Sequence, residues 1–119
     1  MREILPEERI HPAIRDRVSS HFRDIVEEVQ RATEDNEWVI VGMAQNPFPR
    51  KARKLLDSRG IPYRYLQYGS YTSGIRTWRR RNALKMWTGW PTFPMVFHKG
   101  VLLGGASDLE KLLTSGELP

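Results

Sequence analysis

The chain of 119 residues contains no cysteine. That absence excludes disulfides, thiolate nucleophiles, thiolate-bound zinc and all-cysteine iron–sulfur clusters. It also removes the usual indication of redox compartment. Long apolar runs are missing as well. No stretch approaches the roughly 20 residues a bilayer-spanning helix needs. The charged segment from Met1 to His11 lacks the apolar centre of a secretion signal. The expectation is a cytoplasmic protein that does not engage a membrane. Histidine is sparse. His11, His21 and His98 are too far apart for a metal-ligand spacing, and each is expected at the surface or at a helix cap. No phosphate-binding loop, Ser-His-Asp arrangement or paired acidic motif stands out.

What remains is the composition of a globular protein, 39% hydrophobic and 28% charged. The length suits one domain that folds without a cross-link or metal. Lysine and arginine number 19 against 14 acidic residues, a formal charge of +5. That balance points to an anionic partner, substrate or nucleic acid without choosing among them.

Residues 1–11 read as a polar lead-in and 12–119 as a single domain. Pro12 suits the first turn of a helix. Ile14, Val18, Phe22, Ile25, Val26 and Val29 recur at helical spacing and predict one amphipathic helix over 12–33, its apolar face covering the domain's own sheet. Trp38-Val39-Ile40-Val41 predicts a strand buried on both faces. Asn46-Pro47-Phe48-Pro49 is a loop or helix start. Ala52, Leu55 and Leu56 mark the helix that follows, closed by Gly60, with Arg50, Lys51, Arg53, Lys54 and Arg59 outward.

A second strand is expected over 62–68 and a helix over 75–87. Met95–Phe97 and Val101–Leu103 flank a hairpin turn. Ser107 and Glu110 have capping-box spacing and open a last helix through Leu113. The order is helix, strand, helix, strand, helix, hairpin, helix. It defines an α/β fold with a four-stranded mixed sheet flanked by helices.

Three local motifs narrow this further. Trp90-Pro91-Thr92-Phe93-Pro94, followed by Gly104-Gly105-Ala106-Ser107-Asp108-Leu109, resembles the second half of monothiol glutaredoxins. There a Trp-Pro-Thr-Phe-Pro stretch carries a cis-proline, and Gly-Gly-Cys-Ser-Asp-Leu follows the hairpin. Arg50 to Leu56 looks like the helix after the glutaredoxin active site. The resemblance covers residues 37–113 and implies the thioredoxin-like (glutaredoxin) fold with an extra N-terminal helix.

The resemblance places Asn46, Pro47, Phe48 and Pro49 on the family's active-site tetrad, Cys-Pro-Tyr-Cys or Cys-Gly-Phe-Ser. Asn46 takes the nucleophile position. The family's lysine, three residues earlier, falls on Met43. Asparagine can cap a helix but cannot replace a thiolate in disulfide exchange. The expectation is therefore no catalytic residue, no metal and no thiol–disulfide oxidoreductase activity.

The resemblance also implies a glutathione groove. Thr92, Phe93 and cis-Pro94 would pair with its backbone. Gly105, Ser107 and Asp108 at a helix N-terminus would hold one carboxylate, and Arg81 the other. The functional expectation is a glutaredoxin-related protein of redox homeostasis that binds glutathione or a peptide segment of a partner there.

Two alternatives stand beside it. One is a protein–protein adaptor. The other is an anion or nucleic-acid surface on Arg76, Arg79, Arg80, Arg81 and Lys85. Those cations otherwise read as a solvated face, and Tyr63, Tyr65, Tyr68, Tyr71, Trp78 and Trp87 as core. Gly104-Gly105 is read as a tight strand-to-helix junction before a ligand cradle.

Overall fold

A computed structural model describes residues 2–118. Its elements are α1 (Pro12–Ser20), α2 (Arg23–Asp35), β1 (Trp38–Gly42), α3 (Pro47–Ser58), β2 (Arg64–Gln67), α4 (Ile75–Thr88), β3 (Met95–His98), β4 (Val101–Gly104) and α5 (Ala106–Ser115), with a short 3-10 turn at Glu7–Arg9. The four strands form one mixed sheet in the order β2-β1-β3-β4. β1 and β2 are parallel, and the other two pairs are antiparallel.

The apolar run Trp38–Val41 becomes a central strand because helices cover both its faces. Side chains alternate along a strand. Val39 and Val41 therefore enter a core with Ile25, Val29 and Leu84 from α2 and α4. Trp38 and Ile40 enter a second core with Ala52, Leu56 and Leu109 from α3 and α5. Each fully buried aliphatic side chain contributes about 1.5–3 kcal/mol, so the two cores clamp the sheet that carries the candidate site. Among the described residues no helix is long and apolar enough to cross a membrane.

The single helix expected over 12–33 is two helices. Phe22 sits in the left-handed region at φ 45° and separates α1 from α2. Ser19 and Ser20 both donate their hydroxyls to the Asp16 carbonyl, competing with helix continuation. The left-handed residue costs about 1–2 kcal/mol, offset as the Phe22 ring packs against the first core. Only α2 covers the sheet. α1 buries no residue and leaves Ile14 and Val18 exposed.

Three smaller expectations also change. His98 is buried, stacked on Trp38 at 4.1 Å, with its Nε2 3.4 Å from Glu37 Oε2. All of β3 is covered from both sides, so its last residue is covered too. Tyr71 and Trp78 are exposed, one on the β2–α4 loop and one on the outer face of α4. α5 is capped not by Ser107 but by Gly105, whose N–H donates to Asp108 Oδ2 at 3.0 Å. Asp108 at the third helical position reaches back and takes the place that Glu110 had in the Ser-x-x-Glu reading.

Tyr68 ties β2 to α2 through a hydrogen bond from its hydroxyl to Glu28. Burial first, and this bond second, raise its pKa above the ordinary tyrosine value. A raised folded pKa contributes stability that is complete below the unfolded value near 10 and lost as pH climbs through the folded one. In an absorbance titration of phenolate, Tyr68→Phe is expected to remove a late-ionising step. An unchanged alkaline limb would place that step elsewhere.

Candidate functional site

The site forms where the N-terminus of α3, the turn before β3 and the start of α5 meet. A helix leaves its first N–H groups without intrahelical partners, which makes its N-terminus a natural anion site. In α3 that capacity is nearly exhausted. Two of the leading residues, Pro47 and Pro49, have no N–H to offer. The Phe48 N–H donates to Asn46 Oδ1 at 3.0 Å, so Asn46 is the cap. The Asn46 Nδ2 donates to the Phe93 carbonyl at 3.3 Å. One side chain thus spans the site, filling the helix N-terminus and fastening it to the facing turn.

That turn contains the cis Phe93–Pro94 bond. Phe93 and Pro94 are buried while Thr92 is exposed. Gly104 adopts φ +115°, and a Cβ there would lie 2.6 Å from Asp108 Oδ2. Its glycine is required by the strand-to-helix junction. Gly105 has a negative φ, −100°. A Cβ on it would make ordinary contacts at 3.7 Å to the Pro94 carbonyl and 3.9 Å to Trp90. Gly105 thus brings no side chain to the position beside cis-Pro94, where a methyl group would fit.

Ser107 is exposed in the first turn of α5 and Asp108 is half-buried. Asn46 is bonded to Phe93, and Gly105 lies beside the Pro94 carbonyl and is bonded to Asp108, so these five residues come together, with Thr92 and Ser107 next to them in sequence. Arg81 is placed differently. It is buried at 6% exposure, and its Nη1 donates to the Tyr68 carbonyl at 3.0 Å. The loop it supports reaches the site, since Ala44 N–H donates to Gly69 O and Tyr71 N–H to Gln45 Oε1. Met43 is part of the apolar core and brings no charge to the groove.

The basic residues of α4 are largely engaged by partners within the same chain. Arg80 pairs with Asp24 at 2.9 Å, Arg76 lies over the Phe22 ring and Lys85 over the Phe93 ring. With Arg81 buried, Arg79 is the α4 cation with no such partner among the described residues. The cap made by Asn46 follows from an asparagine before a proline, whereas its bond to the Phe93 carbonyl had no signal in the sequence.

A helix N-terminus facing a cis-proline across a four-stranded mixed sheet is the frame of thioredoxin-like proteins. The glutaredoxin family model matches residues 39–103. A glutaredoxin-like protein of Dictyostelium discoideum is 42% identical over 101 residues, spanning 85% of this chain and 80% of that one. Glutaredoxin 4 of Buchnera aphidicola is 30% identical over 100 residues, spanning 80% of this chain and 88% of that one. Among solved structures, a buckwheat glutaredoxin–glutathione complex superposes with a TM-score of 0.71 at 22% identity, covering 83% of this chain and 87% of that one. The chain belongs to the glutaredoxin family, and it does so without a cysteine.

Proposed function

We propose that this protein is a redox-silent glutaredoxin that binds glutathione, or an extended peptide segment of similar chemistry, beside cis-Pro94. The observation that carries the reading is the double role of Asn46. It caps α3 where a thiolate would sit and holds the Phe93 carbonyl across the site. Disulfide exchange needs a thiolate to attack sulfur, and no residue at this position supplies one. The cis Phe93–Pro94 bond, the side-chain-free Gly105 and the N-terminal turn of α5 support the reading.

In this reading the ligand adds to the Phe93 backbone as a short strand would. The Phe93 carbonyl has a second lone pair beyond the one Asn46 engages. Ser107 and its neighbouring N–H groups face one ligand carboxylate. Arg81 holds the Tyr68–Gly69 wall, and its remaining guanidinium donors are the candidates for the other. Redox homeostasis without turnover, in the cytoplasm, is the corresponding role.

The test is a titration of 15N-labelled protein with reduced glutathione, repeated with a short extended peptide, beside a disulfide-reduction assay. Saturable shifts at Phe93, Gly105 and Ser107 with no turnover are expected. Absence of shifts up to millimolar ligand would remove the groove from the account. Shifts with the peptide alone would assign it to protein segments.

A further inference from the structure

The positive charge of α3 differs from that of α4 in being open to a partner. The segment from Pro47 to Arg59 carries Arg50, Lys51, Arg53, Lys54 and Arg59 against the single acid Asp57. Lys51 pairs with Glu110 of α5 at 3.3 Å, and Arg53 lies 4.2 Å over the Tyr65 ring. Arg50, Lys54 and Arg59 are exposed and have no carboxylate within ion-pair distance among the described residues. Arg50 and Lys54 are four residues apart and share one helix face.

A shallow groove of about 430 Å³ beside α3 is lined by Pro47, Arg50, Lys51, Lys54 and Leu55 and by Glu110 of α5. Phe48, seven residues before Leu55, points to the same side of the helix and is 55% exposed. Apolar ground with cations along its border is complementary to an acidic chain that also carries an apolar side chain. We propose that this face of α3 and the α3–α5 groove are a docking surface for an acidic protein segment of that kind.

A nucleic acid fits less well. Binding to single strands relies on exposed aromatic faces for stacking. Here Phe48 offers a single exposed ring, and Arg53 covers the Tyr65 ring, so successive bases find no run of stacking faces. Glu110, paired with Lys51 at the edge of the groove, can be avoided by a peptide whose acids are spaced to meet Arg50 and Lys54, but not by a chain that carries a phosphate at every nucleotide. A protein segment can put a leucine over Leu55 and aim its acids at Arg50 and Lys54. The charges would then set encounter rate and salt sensitivity, and the apolar contact would set residence time. The proposal does not require the groove beside cis-Pro94 to bind anything.

The test uses the 15N-labelled full chain and a short poly-glutamate peptide with one central leucine. An oligothymidylate of similar length serves as the comparison. Saturable shifts are expected at Lys54, Leu55 and the Glu110 region of α5, weakening steeply as salt rises. Arg50→Glu with Lys54→Glu is expected to reduce affinity by about tenfold, through loss of two attractions and gain of two repulsions. Both positions are solvent-facing, so amide shifts elsewhere should stay in place. Arg79→Glu on α4 should change affinity by less than about twofold, because its site lies off the surface. Tighter binding of the oligothymidylate, shifts confined to other faces, equal loss in Arg79→Glu, or no saturable binding would each overturn the proposal.

Discussion

Asn46→Cys is expected to convert an inert chain into one that exchanges thiols with glutathione disulfide. The new sulfur would sit at the N-terminus of α3, where the Phe48 N–H, now held by Asn46 Oδ1, becomes free to stabilise a thiolate. The helix dipole acts in the same direction. Met43 is apolar and buried, so no cation adds to the effect. The thiol pKa is therefore expected toward the upper end of the helix-terminal range, at about 7.5 rather than about 3.5. The thiolate fraction at neutral pH would then exceed that of an ordinary cysteine by roughly eightfold.

With Pro49 at the family's second cysteine position, there is no internal sulfur to resolve an adduct. A stable mixed disulfide with glutathione should accumulate and be released by a second glutathione. The pH dependence of alkylation and the intact mass after exposure to glutathione disulfide read both points. Asn46→Ser keeps a capping oxygen and no sulfur, and should stay inert. A thiol that titrates like a free cysteine and forms no adduct would show that more than the sulfur has gone, and the silent-groove reading would fall with it. The change has a stability cost of about 1 kcal/mol from the lost cap, small beside the chemical gain.

The parts of this fold legible in the sequence were those governed by burial. The apolar run at Trp38–Val41, the 95–103 hairpin and the Leu55–Leu56 helix each had a period that matched where their residues pack. The cis-proline at Pro94 and the part played by Asp108 at the start of α5 had no signal in periodicity, and only the family resemblance pointed to the cis bond. What was not legible depended on single backbone and side-chain choices. The left-handed Phe22 divides one apolar periodicity into two helices, and nothing in the spacing of Ile14, Val18 and Val29 encodes it. Asp108 captures the Gly105 N–H ahead of the Ser107-x-x-Glu110 pattern because the chain enters α5 two residues earlier than that pattern implies. His98 follows the burial of its strand and not its own polarity. The arginines of α4 form a run in sequence, but successive helix positions point in different directions. Arg80 therefore pairs with Asp24 at the surface while Arg81 turns inward to the Tyr68 carbonyl.

The adjacent glycines Gly104 and Gly105 should respond in opposite ways to alanine. Gly104→Ala forces a side chain into positive φ and sets its Cβ 2.6 Å from Asp108 Oδ2. Relief of that contact pulls the carboxylate off the Gly105 N–H, so backbone strain and cap are lost together. The combined cost is about 2–4 kcal/mol, read as a fall in Tm on the order of 10 °C for a domain this size. Asp108→Ala should cost less in the Gly104→Ala background than alone, because the cap is already broken there. Additive losses would mean that the two residues do not act through one contact.

Gly105→Ala meets no such obstacle, since its φ is negative and its nearest neighbours would be 3.7–3.9 Å away. Its stability is expected within about 1 kcal/mol of the parent. The methyl group would stand 3.7 Å from the Pro94 carbonyl, so glutathione or peptide binding there should weaken by about fivefold or more, the effect of roughly 1 kcal/mol. A stable Gly105→Ala protein with undiminished ligand affinity would mean that both glycines serve the junction alone. A stable one that has lost affinity would separate the two, assigning Gly104 to the fold and Gly105 to the ligand.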